Sequence, residues 1–123
     1  MTKAEVEKNI KFIQSEMDKP ITEGSIEEAM QKLSDIQIMF GLSAETVKWA
    51  KKYALQQQGS LLPELFKKGL TASMFKYQLE AEMAEEISLL TYAERINAGL
   101  VHVVDSLRTC ISLYKTEANN FKH

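Results

Sequence analysis

The sequence has few of the residues that crosslink or interrupt a small protein. Its 123 residues include two prolines and a single cysteine, Cys110, which excludes an intrachain disulfide. No apolar run approaches the roughly 20 residues that a membrane-spanning helix needs. The N-terminal segment MTKAEVEKN is too polar for a secretory signal, and the net charge of −2 gives no overall attraction to nucleic acid or anionic lipid. These absences predict a cytoplasmic protein that does not act at a membrane.

The composition is that of an ordinary folded domain. Apolar residues make up 45% of the chain and charged residues 26%, which matches globular usage and argues against disorder. A chain of this length buries enough surface for a core that needs no metal or disulfide. We therefore expect one domain spanning residues 1–123.

Short helices are predicted over residues 1–70. Thr2 with Glu5, and Ser25 with Glu28, fit the capping box that begins a helix. Gly41 is placed to end the second helix, and Ser43 to begin a third that ends near Gly59, before a short helix that Gly69 ends. Apolar residues recur at helical spacing in the first two of these helices, at Val6, Ile10, Ile13 and Met17 and at Ile26, Met30, Leu33, Ile36 and Phe40.

Residues 71–118 predict a long C-terminal helix, because they contain no proline and one glycine, Gly99. We expect it either to kink around Asn97 to Gly99 or to extend beyond its own domain, since it would be roughly 70 Å long. The fold prediction is an all-α helical bundle. As a heptad, the apolar stripe places Asn97, Val104 and Ile111 at a and Leu100 and Leu107 at d, which favours a parallel homo-oligomer. The alternative is that the stripe faces the first two helices of its own chain.

Residues 36–57 resemble a helix-turn-helix unit, with Gly41 at the turn. Lys48, Lys51 and Lys52 would then contact phosphates of a DNA duplex. Two features count against this interpretation: Gln37 stands where that unit requires a small residue, and the second helix lacks arginine, the commonest reader of guanine. We favour two ordinary helices with solvated lysines, and nucleic acid stays the alternative partner.

No catalytic, metal or cofactor site is predicted. Glu82 and Glu85 fit half of a magnesium-binding pattern, but the second half reads His102-x-x-Asp105, and no second glutamate pair completes it. We interpret the glutamates at positions 80, 82, 85 and 86 as a solvated acidic face. His102, Asp105 and Ser106 match the residue types of a hydrolase triad, but they share one helix and lack a nucleophile turn.

The last part of the chain has two contrasting helical faces. One face of residues 94–118 is apolar, and the other carries short, mostly uncharged side chains where a solvated helix more often carries Lys and Glu. Small polar residues allow another backbone or a phosphate to approach closely. The alternative is a solvated face with local His102–Asp105 and Asp105–Arg108 pairs. The candidate partner-binding residues are Arg95, His102, Asp105, Arg108, Thr109 and Ser112.

The segment 94–117, ERINAGLVHVVDSLRTCISLYKTE, resembles small helical proteins encoded by bacteriophages and prophages. The resemblance covers about a fifth of the chain. It implies an accessory of DNA recombination or replication genes and implies no particular chemistry. The expected function is a non-enzymatic accessory or adaptor that acts through helix-mediated assembly with itself and a protein partner. The residues that carry the resemblance are Glu94, Arg95, Asn97, His102, Asp105, Leu107, Arg108, Thr109, Ser112, Lys115 and Glu117.

Overall fold

The computed structural model describes residues 1–121 and confirms the all-α bundle. Its helices are α1, Lys3–Asp18; α2, Ile26–Phe66; α3, Ala72–Glu82; and α4, Ala84–Phe121. No strand occurs within this range. The last two residues of the single domain predicted over 1–123 lie outside the described residues.

The predicted start of α1 is confirmed in atomic detail. The Thr2 hydroxyl accepts a hydrogen bond from the Glu5 backbone N–H at 3.1 Å, and the Glu5 carboxylate accepts one from the Thr2 N–H at 3.2 Å. Val6, Ile13 and Met17 then form the buried stripe of α1. The cap of α2 is only half of the predicted box, because Ser25 accepts from the Glu28 N–H while the Glu28 carboxylate accepts from the Thr22 N–H.

The predicted division of residues 25–68 into three helices is wrong, because α2 runs without interruption through Gly41, Gly59 and Pro63. A glycine inside a helix costs only about 1 kcal/mol. Packing on both sides of Gly41 outweighs that cost, since Phe40 and Leu42 contact the core and Ser43 is buried. The glycine that does leave the helical conformation is Gly69, with φ +62°, after α2 has ended.

The predicted long C-terminal helix is interrupted at Met83 and is continuous at Gly99, so the kink around Asn97 to Gly99, one of the two alternatives, does not occur. Met83 has φ −98° and ψ 8°. The helical hydrogen bonds continue on both sides of it, because the Met83 N–H bonds the Leu79 carbonyl and the Ile87 N–H bonds the Met83 carbonyl. The segment Ala84–Phe121 continues through Gly99 as a helix roughly 57 Å long.

The helices α2 and α4 run antiparallel, and α1 packs on both. Ala50 lies in one buried cluster with Leu89 and Ala93 at one end of the pair. Ile36 lies in a second cluster with Leu100 in the middle, and Ala29 in a third with Leu107 at the other end. The residues of the predicted heptad seam therefore pack inside their own chain, as the alternative interpretation held. Because other helices of the same chain cover these residues, the predicted homo-oligomer would have to use another surface, and it stays a prediction.

Candidate functional site

The two predicted faces of α4 are confirmed. Every residue assigned to the apolar face of 94–118 is buried or half-buried, including Cys110, whose thiol is free. The whole polar face is exposed, which places these side chains where a partner could reach them. The candidate partner-binding residues Arg95, His102, Asp105, Arg108, Thr109 and Ser112 are all exposed.

These six residues do not form one pocket. Arg95 and His102 line a groove between α4 and α1. Arg108 and Ser112 line a different groove of 480 Å³ between α4 and α2. Asp105 and Thr109 lie on the exposed outer side of α4 between the two grooves, so the stripe is a ridge with a groove on each side.

The local pairs expected on this ridge are not formed. Within residues 1–121, no hydrogen bond or ion pair joins His102 to Asp105 or Asp105 to Arg108. The Thr109 hydroxyl instead donates to the Asp105 backbone carbonyl at 3.0 Å, a bond internal to the helix. The charged side chains of the ridge are therefore free to meet a ligand or partner.

A groove that was not predicted from the sequence lies between α1 and α4. Its first part has a volume of 670 Å³ and runs from Glu7 and Glu85 to Asp18 and Ile96. Its continuation, of 450 Å³, reaches His102. The two parts share four residues and form one trough along α4, and the shared residues are Gln14, Asp18, Tyr92 and Ile96.

The floor of this α1–α4 groove is apolar and its rim is polar. Leu89 and Ile96 are buried beneath it and Ile10 is half-buried, while Tyr92 stands in it with 57% of its surface exposed. An apolar floor with a polar rim is the surface that an amphipathic helix matches. The rim residues, all exposed, are Glu7, Lys11, Gln14, Ser15, Asp18, Glu85 and Ser88.

At the N-terminal end of the groove, Glu86 is buried and paired. The Lys3 ammonium donates to a Glu86 carboxylate oxygen at 2.8 Å. This hydrogen bond lowers the pKa of Glu86 and raises that of Lys3. The prediction that the four glutamates form one solvated face is therefore wrong at Glu86, although Glu80, Glu82 and Glu85 are exposed.

No site for metal chemistry is assembled in the described part of the chain. No three side chains of His, Cys, Asp or Glu within residues 1–121 are arranged to hold a metal ion. In the same range, no helix combines the length and apolar character needed to cross a membrane.

Neither the favoured pair of helices nor the alternative helix-turn-helix unit is formed over residues 36–57, because α2 is continuous there and has no turn at Gly41. Lys48, Lys51 and Lys52 are exposed on this one helix. The Lys52 ammonium lies 4.5 Å from the centre of the Trp49 ring, and Lys48 is 3.9 Å from Glu45. Two of the three lysines thus have partners in their own helix.

Comparisons with protein-family models, with curated proteins and with solved structures give no match for this chain.

Proposed function

We propose that this protein is a non-enzymatic adaptor that acts through helix-mediated protein assembly and that the α1–α4 groove receives a helix of its partner. The observation that carries the proposal is the apolar floor of that groove. Tyr92 is 57% exposed above the buried Leu89 and Ile96. Concave apolar surfaces with polar rims are preferred binding sites.

The α1–α4 groove is long enough for several turns of a helix. It is bounded on one side by the 16 residues of α1, a length of roughly 24 Å. The polar rim supplies charged groups of both signs, which favour one orientation of a bound helix over another. Arg95 and His102 extend the groove along α4, which gives two of the six candidate partner-binding residues a place in the proposed interface.

The resemblance of residues 94–117 to phage-encoded helical proteins supplies a context for the partner. In this proposal the protein, once assembled through the groove, acts as an accessory of DNA recombination or replication, and it contacts a protein of that machinery and not the DNA itself.

The test is affinity purification from the native host with nuclease present. We expect wild-type protein to retain a defined set of host proteins and Tyr92→Glu to lose it, because a carboxylate on the groove floor opposes burial of an apolar helix face. Ile38→Glu is the matched control, since Ile38 is 71% exposed on α2 and lies outside the groove. Equal retention of the same proteins by wild type and Tyr92→Glu would refute the proposal.

A further inference from the structure

Helix α3 is the least buried helix in the protein. None of its residues is buried, and it packs only on α2 and α4. Phe75, Gln78 and Leu79 face these neighbours and are half-buried, with the Phe75 ring stacked on Phe66 at 5.1 Å.

The outer face of α3 carries an exposed apolar stripe. Met74, Tyr77 and Ala81 follow one another at spacings of three and four, which places them on one face of a helix. Met74 is 55% exposed and Tyr77 is 72% exposed. The molecule thus presents both an exposed apolar helix face and a groove with an apolar floor.

The charges of these two surfaces match in one orientation. On the wall formed by α1, Glu7 and Lys11 are separated by four residues, and on α3 Lys76 and Glu80 have the same separation with opposite signs. Four residues of helix rise about 6 Å in both cases. None of these four side chains forms an ion pair within residues 1–121.

The handedness of the helix supports the same orientation. If α3 lies parallel to α1 with its apolar stripe against the groove floor, its right-handed turn places Glu80 and Lys76 on the flank that faces α1. Lys76 then lies beside Glu7, and Glu80 beside Lys11. The antiparallel orientation turns this flank toward α4 and removes both pairings.

We infer that the occupant of the α1–α4 groove is helix α3 of a second copy of this chain, bound parallel to α1. The inference rests on the proposed function of the groove and names its partner. The contact joins two different surfaces, so each copy can bind one neighbour through its α3 and another through its α1–α4 groove. Such a head-to-tail contact extends into chains or closes into a ring.

The decisive experiment mixes two full-length variants in sedimentation velocity. Tyr77→Glu disables α3 and leaves the groove intact, whereas Tyr92→Glu disables the groove and leaves α3 intact. We expect wild type to form oligomers larger than dimers as its concentration rises, and each variant alone to remain monomeric. An equimolar mixture of the two should form a one-to-one dimer and nothing larger, because only one functional contact remains. Ile38→Glu should assemble like wild type, and thermal melts confirm that every variant is folded.

Charge reversal tests the orientation. Glu7→Lys with Lys11→Glu should weaken self-association by about tenfold or more, which corresponds to about 1.4 kcal/mol. Adding Lys76→Glu and Glu80→Lys in the same chain should restore it. Failure of this restoration would overturn the parallel orientation.

Two results would overturn the identity of the occupant: wild type that stays monomeric at hundreds of micromolar, or a variant mixture that stays monomeric while wild type assembles. The adaptor proposal can fail or hold independently of this inference. If wild type is monomeric but loses its host proteins on Tyr92→Glu, the groove binds another protein and only the present inference fails. If wild type assembles through the groove but host-protein capture does not depend on Tyr92, self-association stands and the adaptor proposal fails.

Discussion

The ammonium group of Lys3 lies 2.8 Å from a carboxylate oxygen of Glu86, which is 83 residues further along the chain. The pair ties the first turn of α1 to the first turn of α4. The Glu86 side chain is only 6% exposed, whereas that of Lys3 is 40% exposed. Lys3 also lies 5.8 Å from the centre of the Tyr53 ring, and the Tyr53 hydroxyl donates to the Met1 carbonyl. This end of the bundle is therefore held by polar contacts around one buried carboxylate.

Lys3→Met should destabilise the fold by about 1–2 kcal/mol, because it leaves the buried Glu86 carboxylate without its donor. The low end of the usual range is expected, since water reaches the Lys3 side chain. Lys8→Met on the exposed side of α1 is the control and should change the free energy of unfolding by less than about 0.5 kcal/mol. Urea denaturation measures both, and an equal effect of the two substitutions would contradict a structural role for the pair.

The same pair makes stability depend on pH in a defined direction. The hydrogen bond from Lys3 lowers the pKa of Glu86 in the folded state. The stabilisation of the fold by ionised Glu86 is therefore present above the usual glutamate pKa and is lost as the pH falls through the lowered value. The pKa of Lys3 is raised by the same bond, so its contribution is lost only in strongly alkaline solution.

We therefore expect Glu86→Gln to be less stable than wild type at neutral pH and to approach it below about pH 4. Urea denaturation of both proteins at neutral and acidic pH measures the difference. Glu82→Gln, at an exposed position, should show no comparable pH dependence. A gap between wild type and Glu86→Gln that is the same at both pH values would exclude this linkage.

Asn97, assigned from the sequence to the seam of a parallel homo-oligomer, has a hydrogen-bond partner in its own chain. Its position in the apolar stripe matched a buried register residue of a parallel dimer, but its side-chain oxygen accepts a hydrogen bond from the Ser43 hydroxyl of α2 at 2.9 Å. Asn97→Ala and Ser43→Ala should therefore each cost about 1 kcal/mol, and the variant with both changes should cost less than the sum of the two single changes. A double-mutant cycle by thermal unfolding measures the coupling, and strict additivity would exclude it.

The sequence predicts correctly those features that depend on residues close together in the chain. The Thr2 and Glu5 cap, the stripe of α1 and the two faces of α4 follow from helical periodicity and capping chemistry. The continuity of α2 could not be predicted, because Gly41 and Pro63 are intrinsic helix breakers whose effect is overridden by packing that only the fold reveals.

The α1–α4 groove was missed for a related reason. It depends on how closely α1 approaches α4, and the sequence does not specify that distance. The signal that could have indicated it is Tyr92, a large apolar residue between the buried Leu89 and Ile96. No proline or glycine in the sequence indicates the interruption of the helix at Met83. Met83 is buried, and this burial does not explain why the helix is interrupted there.

Binding to duplex DNA is the alternative that the continuous α2 disfavours. We expect no tight, salt-sensitive binding to duplex DNA at physiological ionic strength, because Lys48, Lys51 and Lys52 lie on an unbroken helix without the turn that would present a recognition helix. Fluorescence anisotropy with a labelled duplex at several salt concentrations tests this. A nanomolar affinity that disappears in Lys48→Glu with Lys52→Glu, at unchanged melting temperature, would establish DNA binding.

The exposed ridge of α4 gives the last prediction. His102 and Asp105 are exposed and share no hydrogen bond, so His102→Gln and Asp105→Asn should each change the free energy of unfolding by no more than about 0.5 kcal/mol. If the ridge contributes to the proposed interface, His102→Gln should weaken partner retention, because His102 lines the α1–α4 groove. Asp105→Asn should have the smaller effect on partner retention, since Asp105 lies outside the groove.

Thermal melts and quantitative affinity purification measure the two responses. A loss of stability of about 1–3 kcal/mol would show a structural contact instead, and equal partner retention by His102→Gln and wild type would remove His102 from the interface.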